Sequence, residues 1–154
     1  MRLEGKVALI TGGSRGQGAA EAALFASEGA AVVIADILED QGKQVEAQIN
    51  EAGGRALFVS LDVSSEDDWE RAVREAVEAF GKVDILVNNA ALYSRVPIME
   101  TTLDDWKRIL EVNATGVFLG TKATIPAMQQ AGGGSIVNIS STAGMVGSGR
   151  GSAY

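Results

Sequence analysis

VALITGGSRGQGAA, residues 7–20, decides how the rest of the chain is read. An apolar run stops at Thr11, glycines follow at 12, 13, 16 and 18, and an alanine-rich helical pattern begins among them. Strand, glycine corner and helix together let backbone N–H groups approach an anion. Glycines put no side chain in the way, and a helix N-terminus supplies unpaired donors with partial positive charge. The pattern predicts a seat for a pyrophosphate, with Ser14 adding a hydroxyl and Arg15 a cation; the alternative is a plain tight turn. No Gly-Lys-Ser or Gly-Lys-Thr closes the loop, which argues against the phosphate loop of nucleotide triphosphatases.

Outward from this corner, short apolar runs alternate with longer helical patterns. Strands are expected at 6–11, 31–36, 56–60, 84–89 and 135–140, bounded by Gly, Asp or Asn. Helices are expected at 16–29, 39–53 and 65–81, with a long one over 104–132 that Pro126 bends in its last part. The helix over 65–81 is the most regular: Trp69, Ala72, Val73, Ala76, Val77 and Phe80 share one face, and Ser65 stands ready to cap the first turn. Such alternation with short connections predicts right-handed crossovers and a parallel sheet covered on both faces, in one α/β domain spanning 1–154. The glycines at 132–134 read as a helix stop.

Composition narrows the chemistry. The chain has 154 residues, 46% hydrophobic, 5% aromatic and 21% charged, with formal net charge −7. No run of Lys or Arg offers a track for phosphates, so nucleic acid is not an expected partner. There is no Cys and no His, so thiolate and imidazole metal sites are excluded, no metal is expected, and acid–base work must fall to Asp, Glu, Lys or Tyr. No apolar stretch approaches the roughly 20 residues that span a bilayer, and the N-terminus does not resemble a signal peptide; a cytoplasmic location is expected.

Asp36 ends the second strand, eighteen residues after Gly18. A carboxylate there is suited to accept both ribose hydroxyls of an adenosine and would repel a 2′-phosphate. NAD is therefore expected over NADP, although Arg15 pulls slightly the other way, and Asp36 also has the makings of a helix cap.

Glycine spacing in TGGSRGQG (11–18), together with LDV at 61–63, NNAA at 88–91, Asn113 within a long helix and IVNISS before Tyr154, resembles the short-chain dehydrogenase/reductase family. The resemblance covers the whole chain in the family's order. It implies a Rossmann-type doubly wound sheet in strand order 3-2-1-4-5, incomplete at its C-terminal side. Gly12, Ser14, Arg15, Gly16, Gln17 and Gly18 would form the turn under the pyrophosphate, and Asp36 would hold the adenosine ribose. Asp62 would meet the adenine amino group with the Val63 backbone beside it, while Asn89 and Ala90 would line the cofactor near its ribose. Ser141 would bond the substrate oxygen, Tyr154 would transfer the proton and touch the cofactor, and Asn113 would hold a water of the proton relay. Each has a plainer reading: a turn at 88–91, a buried polar Asn113, a strand-end cap at Ser141. Two departures stand out. Gln17 replaces an aliphatic residue, which is expected to alter packing under the loop, and Ala91 replaces a glycine, adding a methyl near the cofactor.

The implied reaction is hydride transfer between a nicotinamide and a secondary alcohol or ketone, with homo-oligomers (dimer or tetramer) formed through the helix carrying Asn113. A free phenol titrates near about 10, and in the family a lysine four positions after the tyrosine favours its ionised form. That lysine would lie past residue 154, so the chain is expected to be the N-terminal part of a longer enzyme and inactive alone. Two rivals remain: a non-catalytic dinucleotide-binding module, and a flavodoxin-like nucleotide domain, for which nothing before Asp36 suits a flavin ring. The substrate is not legible; the segment 92–102 borders the expected site, with Tyr93 and Met99 either contacting substrate or sitting in a solvated loop.

Overall fold

The computed structural model describes residues 1–146 and Tyr154. Five strands, β1 (Val7–Thr11), β2 (Ala31–Asp36), β3 (Arg55–Ser60), β4 (Ile85–Asn88) and β5 (Ser135–Asn138), form one parallel sheet in the order β3-β2-β1-β4-β5. The helices are α1 (Gly16–Ser27), α2 (Glu39–Glu51), α3 (Glu66–Phe80), α4 (Leu103–Leu110) and α5 (Gly116–Gln130).

Alternate residues of the strands serve different layers. Ala8, Ile10, Val32 and Ile34 pack with Ala22 of α1 and Ile49 of α2. Leu9, Val33, Val59 and Leu86 pack with Trp69, Ala72 and Ala76 of α3 and Leu119, Ala127 and Met128 of α5. This is why β1 and β2 read as continuous apolar runs rather than alternating ones: both faces are covered, and every residue of both strands is buried. Trp69 is the largest fully buried side chain, and its indole N–H donates to the Val63 carbonyl (2.9 Å). Gly120 of α5 makes room for it, since a Cβ there would stand 2.6 Å from the ring.

The helical face expected for α3 is the one that packs, and Ser65 caps it by accepting from the Asp68 N–H (3.2 Å). Asp84, just before β4, is buried among polar partners. Its carboxylate accepts from the Val7 N–H (2.8 Å) and pairs with Lys82 (3.0 Å) and Lys6 (3.5 Å), tying the start of β1 to β4. Burial alone would push this carboxyl up, but the Lys82 ammonium, the Val7 N–H and Lys6 together hold it below the usual carboxylate range.

The long helix expected over 104–132 is two helices joined by a π-helical turn, Glu111–Thr115, with Asn113 at its centre. Pro126 lies inside α5, so the interruption falls well before the proline. At the turn Gly116 meets Val63: a Cβ on Gly116 would lie 2.9 Å from the valine methyl, and a regular helix carrying a side chain there has no room. β4 and β5 are each shorter than the sequence suggests, because the polar residues that follow them, Asn89 and Ser140, lie in loops.

Candidate active site

The sheet order reverses between β1 and β4, since chain succession runs from β1 toward β3 on one side and from β4 to β5 on the other. Such a switch point leaves a crevice at the carboxyl ends of the strands. The glycine corner after β1 and the Asn89–Ala90 segment after β4 meet there.

Thr11 organises this meeting. Buried at the end of β1, its hydroxyl accepts from the Asn89 and Ala90 N–H groups (both 3.0 Å) and donates to the Val87 carbonyl (3.3 Å). The Asn89 amide donates to the carbonyls of Thr11 (2.9 Å) and Gly12 (3.3 Å), so this side chain holds the corner in place. Gly12 has φ 64°, and a Cβ on it would lie 2.9 Å from the Ala90 Cα. A Cβ on Gly18 would reach within 2.2 Å of the Gly12 carbonyl oxygen. These two glycines are needed for backbone packing inside the protein. Gly16, by contrast, opens onto free space.

Three features of the corner fit a pyrophosphate. The first turn of α1 carries no acidic residue and no side-chain cap, whereas α2 begins with Glu39 and Asp40, α3 with a serine cap and three acids, and α4 with a capping box of Thr102 and Asp105. Its first N–H groups are therefore donors with no competing carboxylate. Arg15, exposed, occupies the N-cap in extended backbone. Ser14 is buried, its hydroxyl lying against Gly42 of α2 without a protein partner.

Asp36, at the end of β2, is 8% exposed. One carboxylate oxygen accepts from the Ser14 N–H (3.0 Å) and the other from the Leu38 N–H (3.1 Å) at the entry to α2. It thus serves both the glycine corner and the start of the next helix, and each oxygen keeps a lone pair for a further donor. Asp62, exposed after β3, accepts from the Ser64 N–H (2.9 Å) and hydroxyl (2.7 Å), and its own N–H donates to Asp68 (3.0 Å). Val63 next to it is engaged through its carbonyl with Trp69.

Asn113 reaches from the π turn to the loop after β4. Its oxygen accepts from the Leu92 N–H (2.8 Å) and its amide donates to the Leu92 carbonyl (2.9 Å). The next residue, Tyr93, stacks edge-on against Tyr154 with ring centres 4.8 Å apart. Ser141 accepts from the Ala143 N–H (3.1 Å) as the cap of a short 3-10 turn, and among the described residues its own O–H has no acceptor. Among the described residues no hydrogen bond joins Ser141 to Tyr154.

One of the two sequence departures lacks the effect expected of it. Gln17 is exposed and donates to Glu21 one turn on (2.8 Å), so it does not pack under the loop, because that position of α1 faces outward. Ala91 is exposed, so its methyl is free to face whatever enters the crevice. Sequence reasoning missed Thr11 as a hub. A threonine ending a strand is too ordinary to signal it. Gly116 inside a helical pattern was an available sign of the π turn.

A cleft of about 460 Å³ runs between α3 and α5, and another of about 380 Å³ between α1 and α2. No predicted site residue lines either of them; the site is an open crevice at the strand ends. No helix among the described residues is long and apolar enough to cross a membrane.

Comparison with known proteins agrees with this geometry. The sequence model described as short chain dehydrogenase matches residues 6–154. Similar proteins include trans-4-hydroxycyclohexanecarboxylate dehydrogenase of Sinomonas cyclohexanicum, 51% identical over 95% of this chain and 58% of the relative. The 3-alpha-(or 20-beta)-hydroxysteroid dehydrogenase of Mycobacterium tuberculosis is 49% identical over 95% of this chain and 55% of its own length. Cyclopentanol dehydrogenase of Comamonas testosteroni is 42% identical over 99% and 61%. The chain spans somewhat more than half the length of the curated relatives it matches. With the switch-point crevice, the glycine corner and this match over nearly every residue, the chain belongs to the short chain dehydrogenase family.

Proposed function

We propose that these 154 residues form one dinucleotide-binding domain of an NAD(H)-dependent oxidoreductase that interconverts a secondary alcohol on a carbocyclic ring with its ketone. The ring alcohol is drawn from the named relatives, which act on a hydroxycyclohexanecarboxylate, a hydroxysteroid and cyclopentanol. The observation that carries the reading is the uncapped, acid-free N-terminus of α1 set beside the buried carboxylate of Asp36.

In this reading the α1 N–H groups with Ser14, Arg15 and Gly16 hold the pyrophosphate, Asp36 takes the adenosine ribose, and Asp62 with Val63 borders the adenine. Preference for NAD over NADP follows from charge: a 2′-phosphate beside the Asp36 carboxylate is repelled at contact distance. When bound, the nicotinamide supplies the two-electron acceptor or donor for the hydride at the carbinol carbon. Tyr154 takes the hydroxyl proton as the carbonyl forms and returns it in the reverse direction. Ser141 donates its O–H to the same substrate oxygen. Asn113 keeps the Leu92 backbone, and with it Tyr93, at a fixed place beside Tyr154, and holds the relay water.

The complete enzyme, placed in the cytoplasm, pairs through α4 and α5, where Leu103, Trp106 and Phe118 are exposed.

The test uses the complete gene product with ring alcohols and both cofactors. Tyr154→Phe is expected to lower kcat at least about 1,000-fold while NADH affinity, followed by fluorescence, changes little. Asp36→Ala is expected to narrow the NAD preference by about tenfold or more. NADH binding without turnover by the wild type would leave a non-catalytic dinucleotide module instead.

A further inference from the structure

Over Tyr93, the ring that meets Tyr154, stands a cation that the proposed chemistry does not use. Leu92 is pinned by both of its backbone groups to Asn113, which fixes where Tyr93 begins. Tyr93 lays its ring edge-on to Tyr154, and the Arg95 guanidinium sits over the Tyr93 ring, 5.9 Å from its centre. Arg95 is exposed, and among the described residues it forms no ion pair, as is also true of Arg15, Arg55, Arg74, Lys107 and Arg108; what sets it apart is its place over the ring that meets Tyr154.

We propose that Arg95 recognises an anionic group, a carboxylate, on the far side of the ring alcohol from the reacting hydroxyl, and that Tyr93 forms the wall between the two ends. The inference rests on Tyr154 being the proton-transfer residue, and it adds the substrate's charge to that reading.

Distance, chemistry and field support it. The two stacked contacts laid end to end place the guanidinium carbon within about 11 Å of the Tyr154 ring centre. A six-membered ring bearing a hydroxyl and a carboxylate on opposite carbons, with a hydrogen bond of about 2.8 Å at each end, fills a span of that order. A guanidinium presents a planar fork that pairs with both carboxylate oxygens, and the face of Tyr93 orients it without neutralising it. The chain as a whole carries formal charge −7, so its overall field repels an anion, and a carboxylate can be favoured only by a local cation.

The experiment compares two alcohols in the complete gene product, 4-hydroxycyclohexanecarboxylate and the uncharged 4-methylcyclohexanol. Wild type is expected to favour the acid. Arg95→Gln is expected to lower the ratio of the two kcat/KM values by about 10- to 100-fold, the worth of a charge-assisted hydrogen bond, and Arg95→Lys to restore part of it. Calorimetry with cyclohexanecarboxylate, which carries no hydroxyl to oxidise, should show a matching loss of affinity in Arg95→Gln. If both alcohols are oxidised but neither ratio nor affinity responds to Arg95, the inference fails and the oxidoreductase reading stands. If neither alcohol is oxidised, the oxidoreductase reading fails and takes the inference with it.

Discussion

β2 and β5 are strands of the same parallel sheet, yet they live in different surroundings. All six residues of β2 are buried, between β1 and β3 and under helices on both faces. Among the described residues β5 has a neighbour on one side alone, and of its four residues only Ile136 is even partly buried. Beside β2 the glycine corner is set by close packing against Ala90, with Asp36 buried and hydrogen-bonded to the Ser14 N–H. Around β5 and the 90–102 segment, position depends on a few polar contacts, chiefly the two bonds from Asn113 to Leu92. The difference teaches that one end of the described structure is held as core and the other by hydrogen bonds. Packing tolerates no added atom, while hydrogen bonds yield by about 1 kcal/mol each.

The largest effect should come from adding one methyl to the packed end. Gly18→Ala would drive a Cβ to 2.2 Å from the Gly12 carbonyl oxygen, so the corner must move. NADH affinity, measured by fluorescence titration, is expected to fall more than about 100-fold, since a rigid site cannot absorb the shift. An unchanged affinity would break the comparison at its firmer side.

Next comes the joint between the two ends. Asp84→Ala leaves the Val7 N–H and the Lys82 ammonium without their buried partner, and should cost about 2–4 kcal/mol in denaturant unfolding at neutral pH. The sign with pH follows from the direction of the shift. Because the folded-state carboxyl sits below its ordinary value, its contribution is complete above the unfolded-state titration and is lost as pH falls through the folded-state one. The gap between wild type and Asp84→Asn should therefore close as pH drops below about 4. A gap that holds constant down to acid unfolding would show that Asp84 acts through packing alone.

The smallest global effect belongs to the hydrogen-bonded end. Asn113→Ala removes two bonds to a loop that is otherwise lightly held, and should change overall stability by about 1–2 kcal/mol at most. Its signature is local: faster hydrogen exchange at the Leu92 amide, with exchange in β2 unaltered. Equal acceleration in both places would mean that the two ends are one cooperative unit.

Much of this was legible beforehand, and unevenly. Strand and helix order, the α3 face, the Ser65 cap and a parallel sheet covered on both faces followed from apolar periodicity and turn residues, which are local signals, while the doubly wound strand order came with the family resemblance. The family followed from motif order. The π turn at 111–115, the Thr11 hub and the inward use of the Asn89 amide did not, because each depends on residues more than twenty positions apart meeting at the switch point. Gln17 was misread for the same reason: its helix position is legible, but which way that position faces is set by how α1 lies on the sheet.

By itself, then, the sequence determined which segments become strands and helices, that both faces of the sheet are covered, and which residue types are available for chemistry. Periodicity and turn preference act over a handful of neighbours and need no partner to be recognised. Tertiary structure alone decided that Thr11, Gly12, Asn89 and Ala90 form one corner, that Asn113 holds the Tyr93 loop, and that Arg95 lies over an aromatic ring beside Tyr154. Those are contacts between chain segments far apart in order, and their geometry exists only once the sheet has brought the strand ends together.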